Sequence, residues 1–104
     1  MTIAQVRDRL EKRRAWLDAK NHEIEDALDE TPNPDAEERA TEREGDEVLE
    51  ALGLSHLDEI RQIDAALERI EEGGYGACAA CGEPIAKGRL EALPFAVTCI
   101  QCAA

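Results

Sequence analysis

Apolar residues recur at alternating steps of three and four along the first 30 positions of the chain. This spacing places one side chain per turn on the same face of an α-helix and is typical of a helix that packs on one partner helix. Thr2 and Gln5 stand at the spacing of a capping box, which marks a helix start. We therefore predict a helix over residues 2–30. Its predicted packing face consists of Ile3, Val6, Leu10, Arg13, Leu17, Lys20, Ile24 and Ala27, and the long side chains of Arg13 and Lys20 are expected to lie at its edge with their charged ends in water.

A second helical pattern follows a proline-rich stretch. Residues 31–34, Thr-Pro-Asn-Pro, predict a tip turn where the chain reverses, because proline disfavours helical backbone in the residue before it. A second helix is predicted over residues 34–72, and Gly73 and Gly74 are its predicted stop. We expect Gly53 to weaken this helix locally without breaking it. Its apolar positions are Val48, Leu49, Leu52, Leu57, Ile60, Ile63, Leu67 and Ile70.

Composition agrees with helices and excludes a thick hydrophobic core. Leu, Ile, Val and Phe together number only 21 of the 104 residues, close to the composition of disordered chains. Ala, Glu, Lys, Leu and Arg number 55, a share typical of long helices. We therefore predict an antiparallel two-helix coiled-coil hairpin over residues 1–72. Because its core is small, we expect an additional cross-link to stabilise the fold.

Four cysteines form the most specific motif of the sequence. Cys78 and Cys81 are separated by two residues, as are Cys99 and Cys102, and 17 residues lie between the pairs. Four thiolates supply the tetrahedral shell of a structural zinc ion, with no open position for a substrate. We predict one Zn(II) per chain, which orders residues 73–104 as a small C4 zinc finger. The predicted fold is thus mainly α, a helical hairpin followed by this finger.

Two other interpretations of the cysteines are disulfides and thiol redox centres. The start of the chain lacks the apolar core of a signal peptide, which argues against disulfides. No His, Lys or Arg lies within either cysteine pair to lower a thiol pKa, which argues against redox chemistry. No apolar run approaches the roughly 18 residues of a membrane span, so we expect a cytoplasmic protein without membrane attachment.

Charge is distributed unevenly along the chain, whose net charge is −12. Residues 21–60 hold 15 acidic and 2 basic side chains, whereas residues 1–20 hold 3 acidic and 6 basic ones. Because phosphate repels an acidic chain, we predict no direct DNA binding. The basic cluster is either a docking patch or a partner of the acidic second helix. It consists of Arg7, Arg9, Lys12, Arg13 and Arg14.

The remaining polar residues indicate no enzyme. The sequence shows no nucleophile paired with a base, no phosphate-binding loop and no open metal site. His22 and His56 are interpreted as ordinary surface residues. The acidic residues at the start of the second helix, Asp35, Glu37 and Glu38, have two interpretations. They complement the helix dipole, or they are carboxylates displayed at the hairpin tip for contact with a partner's cleft.

Several of these motifs together resemble the DksA/TraR zinc-finger proteins of bacteria. The similarity runs from Arg69 to Gly82 and continues in the segment Arg89-Leu90-Glu91-Ala92, in Pro94 and in the second cysteine pair. At the tip, the family pattern D-x-x-D-x-A stands here as Asp35-Ala36-Glu37-Glu38-Arg39-Ala40, with Glu38 in place of the second Asp. About 70 residues are covered.

The resemblance implies a monomeric transcription regulator that binds bacterial RNA polymerase through its secondary channel. The implied polymerase-modulating residues of the tip are Asp35, Glu38 and Ala40. In the family, guanosine tetraphosphate is held by basic side chains. The corresponding positions here are Ser55, Gln62, Leu93 and Ala103, none of them basic, so we expect weak or absent dependence on this nucleotide. Two alternatives remain: a zinc-stabilised module that binds protein or nucleic acid, and a thiol redox switch.

Overall fold

The computed structural model describes residues 2–29 and 35–103, and among these the side chains of all but residues 36–42. The described residues form three helices: α1, Ile3–Leu28; α2, Ala36–Glu72; and α3, Lys87–Ala92. In these two ranges no β-strand is present, only one isolated antiparallel bridge between Ala77 and Pro84. The predicted mainly α class is confirmed, and α3 is an additional helix that was not predicted.

Local signals fix the described ends of the two long helices. At the start of α1, Thr2 N–H donates to Gln5 Oε1 (2.9 Å) and Gln5 N–H donates to Thr2 Oγ1 (3.2 Å), which confirms the capping box. At the end of α2, Gly73 has a φ of +81°. Gly74 N–H donates to Arg69 O (2.9 Å) and Gly73 N–H to Ile70 O (3.2 Å), the Schellman pattern. The predicted glycine stop is therefore confirmed.

Two sequence predictions concern the connection and the middle of α2. The predicted tip turn, residues 31–34, lies outside the described residues. The helix α2 continues through Gly53 without a break, as expected. The division into a hairpin over residues 1–72 and a finger over residues 73–104 stays a prediction.

The chain forms two compact units, each of which contains a part of both long helices. Unit 1 comprises Met1–Arg14 and Arg61–Ala104, and unit 2 comprises Ala15–Ile60. In unit 1, Arg7 pairs with Glu71 (2.9 Å) and Arg14 with Asp64 (2.6 Å), so the helices run antiparallel there. In unit 2, Trp16 contacts His56 and Asn21 bonds to Gly53, which gives the same direction. The predicted antiparallel pairing of the two helices is confirmed.

Arg13 and Lys20 lie at the edge of the α1 packing face, as expected, whereas the burial of Asn21 was not predicted. Arg13 is exposed and Lys20 is half-exposed, whereas Asn21 is buried. The reason is electrostatic: a buried ammonium group is costly, whereas the Asn21 amide finds both a donor and an acceptor on α2. The buried apolar side chains of α1 and α2 are Val6, Leu10, Leu17, Ile24, Ile60, Ile63, Ala66 and Ile70.

Several apolar residues predicted to pack are exposed. Val48 is 67% exposed, Leu52 45% and Leu57 43%, and Ile3 of α1 is 49% exposed. A helix with a single partner covers only a narrow stripe, so apolar side chains at the margins of that stripe stay in contact with water. Despite these residues, no helix of the described part of the chain is long and apolar enough to cross a membrane.

Candidate metal centre

The first cysteine pair lies on a tight turn between the two sides of the Ala77–Pro84 bridge. Cys78 N–H donates to Glu83 O (2.8 Å), and Gly82 N–H donates to Cys78 O (2.9 Å). Gly82 has a φ of +80°, a left-handed conformation that glycine adopts without strain. The turn brings the backbone back on itself, so that Cys78 and Cys81 both lie near its closed end.

The second cysteine pair lies on a shorter turn near the end of the chain. Both Cys102 N–H (3.1 Å) and Ala103 N–H (2.9 Å) donate to the carbonyl oxygen of Cys99. The two turns are joined by a bond from Ala79 N–H to Val97 O (2.8 Å). As a result, the sulfur atoms of all four cysteines lie within 4.8 Å of one another.

The spacing of the four sulfurs suits a zinc ion. Zn–S bonds of about 2.3 Å at the tetrahedral angle place two sulfurs about 3.8 Å apart. The Sγ atoms of Cys81 and Cys99 are 3.8 Å apart, and all four cysteines are free thiols rather than disulfides. Cys78 is buried, whereas Cys81 is exposed. The predicted cysteines therefore form one cluster, and it is able to hold one metal ion.

The four thiols differ in their tendency to ionise. Backbone N–H groups, first that of Cys99 and then that of Cys81, lower the pKa of Cys78 to about 6. Neighbouring thiols, Cys99 foremost, raise the pKa of Cys102 to about 12. The backbone of Glu83 lowers the pKa of Cys81, but the Cys78 thiol and desolvation together outweigh it, so this pKa is raised. Binding of a metal to four thiolates must therefore displace protons.

Side-chain donors tie the segments of the finger to one another and to α1. Arg69 donates to the carbonyl oxygens of Gly74 (2.9 Å) and Ala77 (2.7 Å) where α2 leads into the finger. Tyr75 Oη donates to Pro94 O (2.9 Å), and burial raises the pKa of this hydroxyl, which keeps it a donor. Arg9 of α1 donates to the carbonyl oxygen of Glu91 in α3 (2.8 Å). The finger of unit 1 is therefore bonded to the first turns of α1.

The basic cluster of α1 is engaged with the rest of unit 1. Arg7 and Arg14 pair with acidic residues of α2, and Lys12 pairs with Asp8 of its own helix (2.9 Å). These contacts favour pairing with the acidic second helix over a separate docking patch.

The predicted tip residues are described only in part. Asp35 is exposed and immediately precedes α2. Glu38 and Ala40 belong to the first turns of α2, and their side chains lie outside the described ones. Their assignment to polymerase modulation stays a prediction.

Two of the positions compared with the family's nucleotide site line a common cavity. Gln62 and Leu93 lie beside a cavity of about 290 Å³ in unit 1, together with Arg61 and Arg89. The Nε atom of Arg89 donates to Thr98 O (3.1 Å). Arg61 and Arg89 are distant in sequence, and the fold brings both to the lining of this cavity.

Sequence reasoning missed a polar contact between the long helices in unit 2. Asn21 Nδ2 donates to Gly53 O (3.2 Å), and His56 Nδ1 lies 2.9 Å from Asn21 Oδ1. Because Oδ1 only accepts, His56 must carry its proton on Nδ1. His56 is half-buried and contacts Asn21 of α1, so it is not an ordinary surface residue. His22 is exposed, as predicted.

An antiparallel pair of long helices combined with a four-cysteine cluster defines a helical C4-type zinc-finger protein. Residues 6–70 match the model of the DnaK suppressor protein-like, N-terminal domain (DksA-like), and residues 73–104 match the prokaryotic dksA/traR C4-type zinc finger. The chain belongs to the DksA/TraR family.

Individual relatives agree with this assignment. The chain is 42% identical over 64 residues to the RNA polymerase-binding transcription factor DksA of Caulobacter vibrioides, covering 58% of this chain and 45% of that protein. The structure of transcription factor DksA2 from Pseudomonas aeruginosa superimposes with a TM-score of 0.77 at 31% identity, covering 95% of this chain and 78% of that one. The DnaK suppressor protein of Agrobacterium tumefaciens gives 0.67 at 43% identity, covering 98% and 91%. The chain spans about half the length of the curated relatives it matches.

Proposed function

We propose that this protein is a transcription regulator that binds bacterial RNA polymerase through the secondary channel and modulates initiation. The observation that carries the proposal is the match of two successive DksA/TraR family models to residues 6–70 and 73–104. The paired helices and the cysteine cluster give the match a physical basis. Relatives at this similarity are named for binding to RNA polymerase.

In this proposal one Zn(II) is a structural ion held by Cys78, Cys81, Cys99 and Cys102. Four thiolates complete its tetrahedral shell, so no position is open to a substrate and the chain itself catalyses nothing. The ion links the two turns of the finger, and among the described contacts the backbone hydrogen bond from Ala79 to Val97 also connects the two segments. Its binding energy therefore contributes to folding of the finger.

The proposed modulating residues are Asp35, Glu38 and Ala40, at the start of α2. This placement puts carboxylates at one end of a helix of 37 residues, far along the chain from the finger. A tip contributes little contact area compared with the helices and the finger, so the three residues act after docking rather than in docking. The extra methylene of Glu38, relative to the family's Asp, is expected to change the strength or the sign of the effect.

The decisive experiment measures occupancy of the secondary channel together with the lifetime of open promoter complexes. The protein should compete with a reagent bound in the channel and should shorten open-complex lifetimes. The Glu38→Ala variant should bind polymerase nearly as well as the parent protein but lose the effect on lifetime. Glu44→Ala, at an exposed position of the same helix, is the matched control and should retain both properties. Loss of binding in proportion to loss of activity would contradict the division between docking and modulation.

Several finer properties belong to the same proposal. The protein acts as a monomer and does not bind DNA directly, in keeping with its net charge of −12. Its response to guanosine tetraphosphate is weak or absent, because the compared positions are not basic and Arg89 is bonded through Nε to Thr98 O. A strong response that disappears in the Arg61→Ala variant would show that the cavity beside Gln62 supplies the missing cations.

Two further measurements separate the two alternative functions from the proposed one. A module that binds nucleic acid through the finger would show tight DNA binding by the purified protein that weakens steeply with salt. A thiol redox switch would release zinc reversibly under mild oxidation and lose its effect on transcription in step. Channel competition with zinc retained favours the polymerase regulator over both.

A further inference from the structure

The segment that leads into the second cysteine pair, residues 91–98, is held by hydrogen bonds to its carbonyl oxygens. Within unit 1, the carbonyl oxygens of Glu91, Pro94, Val97 and Thr98 each accept a bond from outside or across the segment, and Cys99 follows directly. The donors are Arg9, Tyr75, the Ala79 backbone and Arg89, with donor–acceptor distances of 2.8, 2.9, 2.8 and 3.1 Å respectively. The position of Cys99 relative to the first cysteine pair therefore depends on these bonds.

Two of the four donors are side chains that lie far from the second pair in sequence. Arg9 belongs to α1 and is separated from Glu91 by 82 positions. Tyr75 lies between α2 and the first cysteine pair, 19 positions before Pro94, and it is half-buried. Neither side chain supplies a ligand atom to the cysteine cluster.

We propose that Arg9 and Tyr75 are positioning residues of the metal centre, which hold the segment of residues 91–98 so that the second cysteine pair meets the first. The inference rests on the proposed zinc ligation by the four cysteines. Groups that orient metal ligands from outside the coordination shell commonly change metal affinity by about 10- to 100-fold. Arg9 bonds a backbone carbonyl several residues from Cys99 rather than a ligand itself, so its effect falls at or just below the low end of that range.

The alternative is that these bonds only add to the general stability of the fold. The two possibilities differ in how zinc release responds to a loss of stability elsewhere in the chain. If Arg9 and Tyr75 position the metal centre, their loss speeds zinc release, whereas a change in unit 2 that costs at least as much stability leaves zinc release unchanged. Leu17 is fully buried and belongs to unit 2, so Leu17→Ala supplies that comparison.

The experiment measures zinc release from the full-length protein into an excess of a chromogenic chelator. Arg9→Ala and Tyr75→Phe should each release zinc roughly five- to tenfold faster than the parent protein, about the effect of losing one hydrogen bond. Arg9→Lys, which keeps a cationic donor, should recover part of the difference. Lys12→Ala is the matched control, because Lys12 pairs only with Asp8 of its own helix in the described contacts, and it should release zinc at the parental rate.

The outcomes separate this inference from the proposed ligation. Parent protein that holds well under one zinc per chain after purification under reducing conditions would overturn the ligation by the four cysteines. Parent protein with one zinc, and unchanged release rates in both Arg9→Ala and Tyr75→Phe, would overturn the positioning roles alone. Faster release in Leu17→Ala to the same extent would also overturn them, because the effect would then reflect general stability.

Discussion

Zinc affinity should fall steeply with decreasing pH, because protons and zinc compete for the same sulfur atoms. Two of the thiols, Cys81 and Cys102, have a pKa above the ordinary value, and for Cys102 it is about 12. Near neutral pH both therefore carry a proton that zinc must displace. Cys78, with a pKa of about 6, is already largely ionised there and releases almost none.

The size of the effect depends on the number of protons displaced. Two protons from Cys81 and Cys102 give at least about a 100-fold change in affinity per pH unit between about pH 7 and pH 8. The direction follows from the raised pKa values: the metal-free thiols hold protons that the zinc-bound form has lost, so a higher proton concentration favours the metal-free form and weakens zinc binding. Below about pH 6 Cys78 is protonated as well, so the dependence should become steeper.

Two measurements check this prediction. Competition with a chelator of known protonation constants gives the affinity at each pH. Calorimetric titration of the reduced, zinc-free protein in buffers with different ionisation enthalpies gives the number of protons released per zinc bound. We expect at least about two protons at about pH 7.5. Release of fewer than one would show that the thiols are already ionised and that the reasoning from their mutual contacts is wrong.

Three further predictions concern the stability of the helices. Gly45→Ala should raise the free energy of unfolding in urea by about 1 kcal/mol, because a Cβ there meets no atom within 4 Å and alanine favours helix; an unchanged value would contradict this. Leu17→Ala should lower the free energy of unfolding by about 2–5 kcal/mol, because this side chain is fully buried. Leu54→Ala, at a position that is 67% exposed, should change it by less than about 0.5 kcal/mol, and equal effects of the two variants would refute the described packing. Asn21→Ala should lower it by about 1–3 kcal/mol by removing the partner of His56, and a stabilised variant would refute that contact.

The sequence by itself determined the features that depend on neighbouring residues. Three local features, the capping box of Thr2 and Gln5, the glycine stop at Gly73 and the two close cysteine pairs, each involve residues at most five positions apart. Backbone geometry and side-chain reach decide such features locally, so the residue types at a given spacing suffice. The spacing of apolar residues by steps of three and four likewise predicted two helices, because this spacing matches the period of an α-helix and can be recognised without knowing the partner helix.

The tertiary structure decided which faces of those helices meet. Spacing gave no signal that α1 buries Asn21, because this burial depends on an acceptor at Gly53 and a donor at His56 on another helix. The same holds for Arg9, whose partner at Glu91 is 82 positions away. Contacts of this kind carry no local signature, because the free energy that selects them is shared between segments that only the fold brings together.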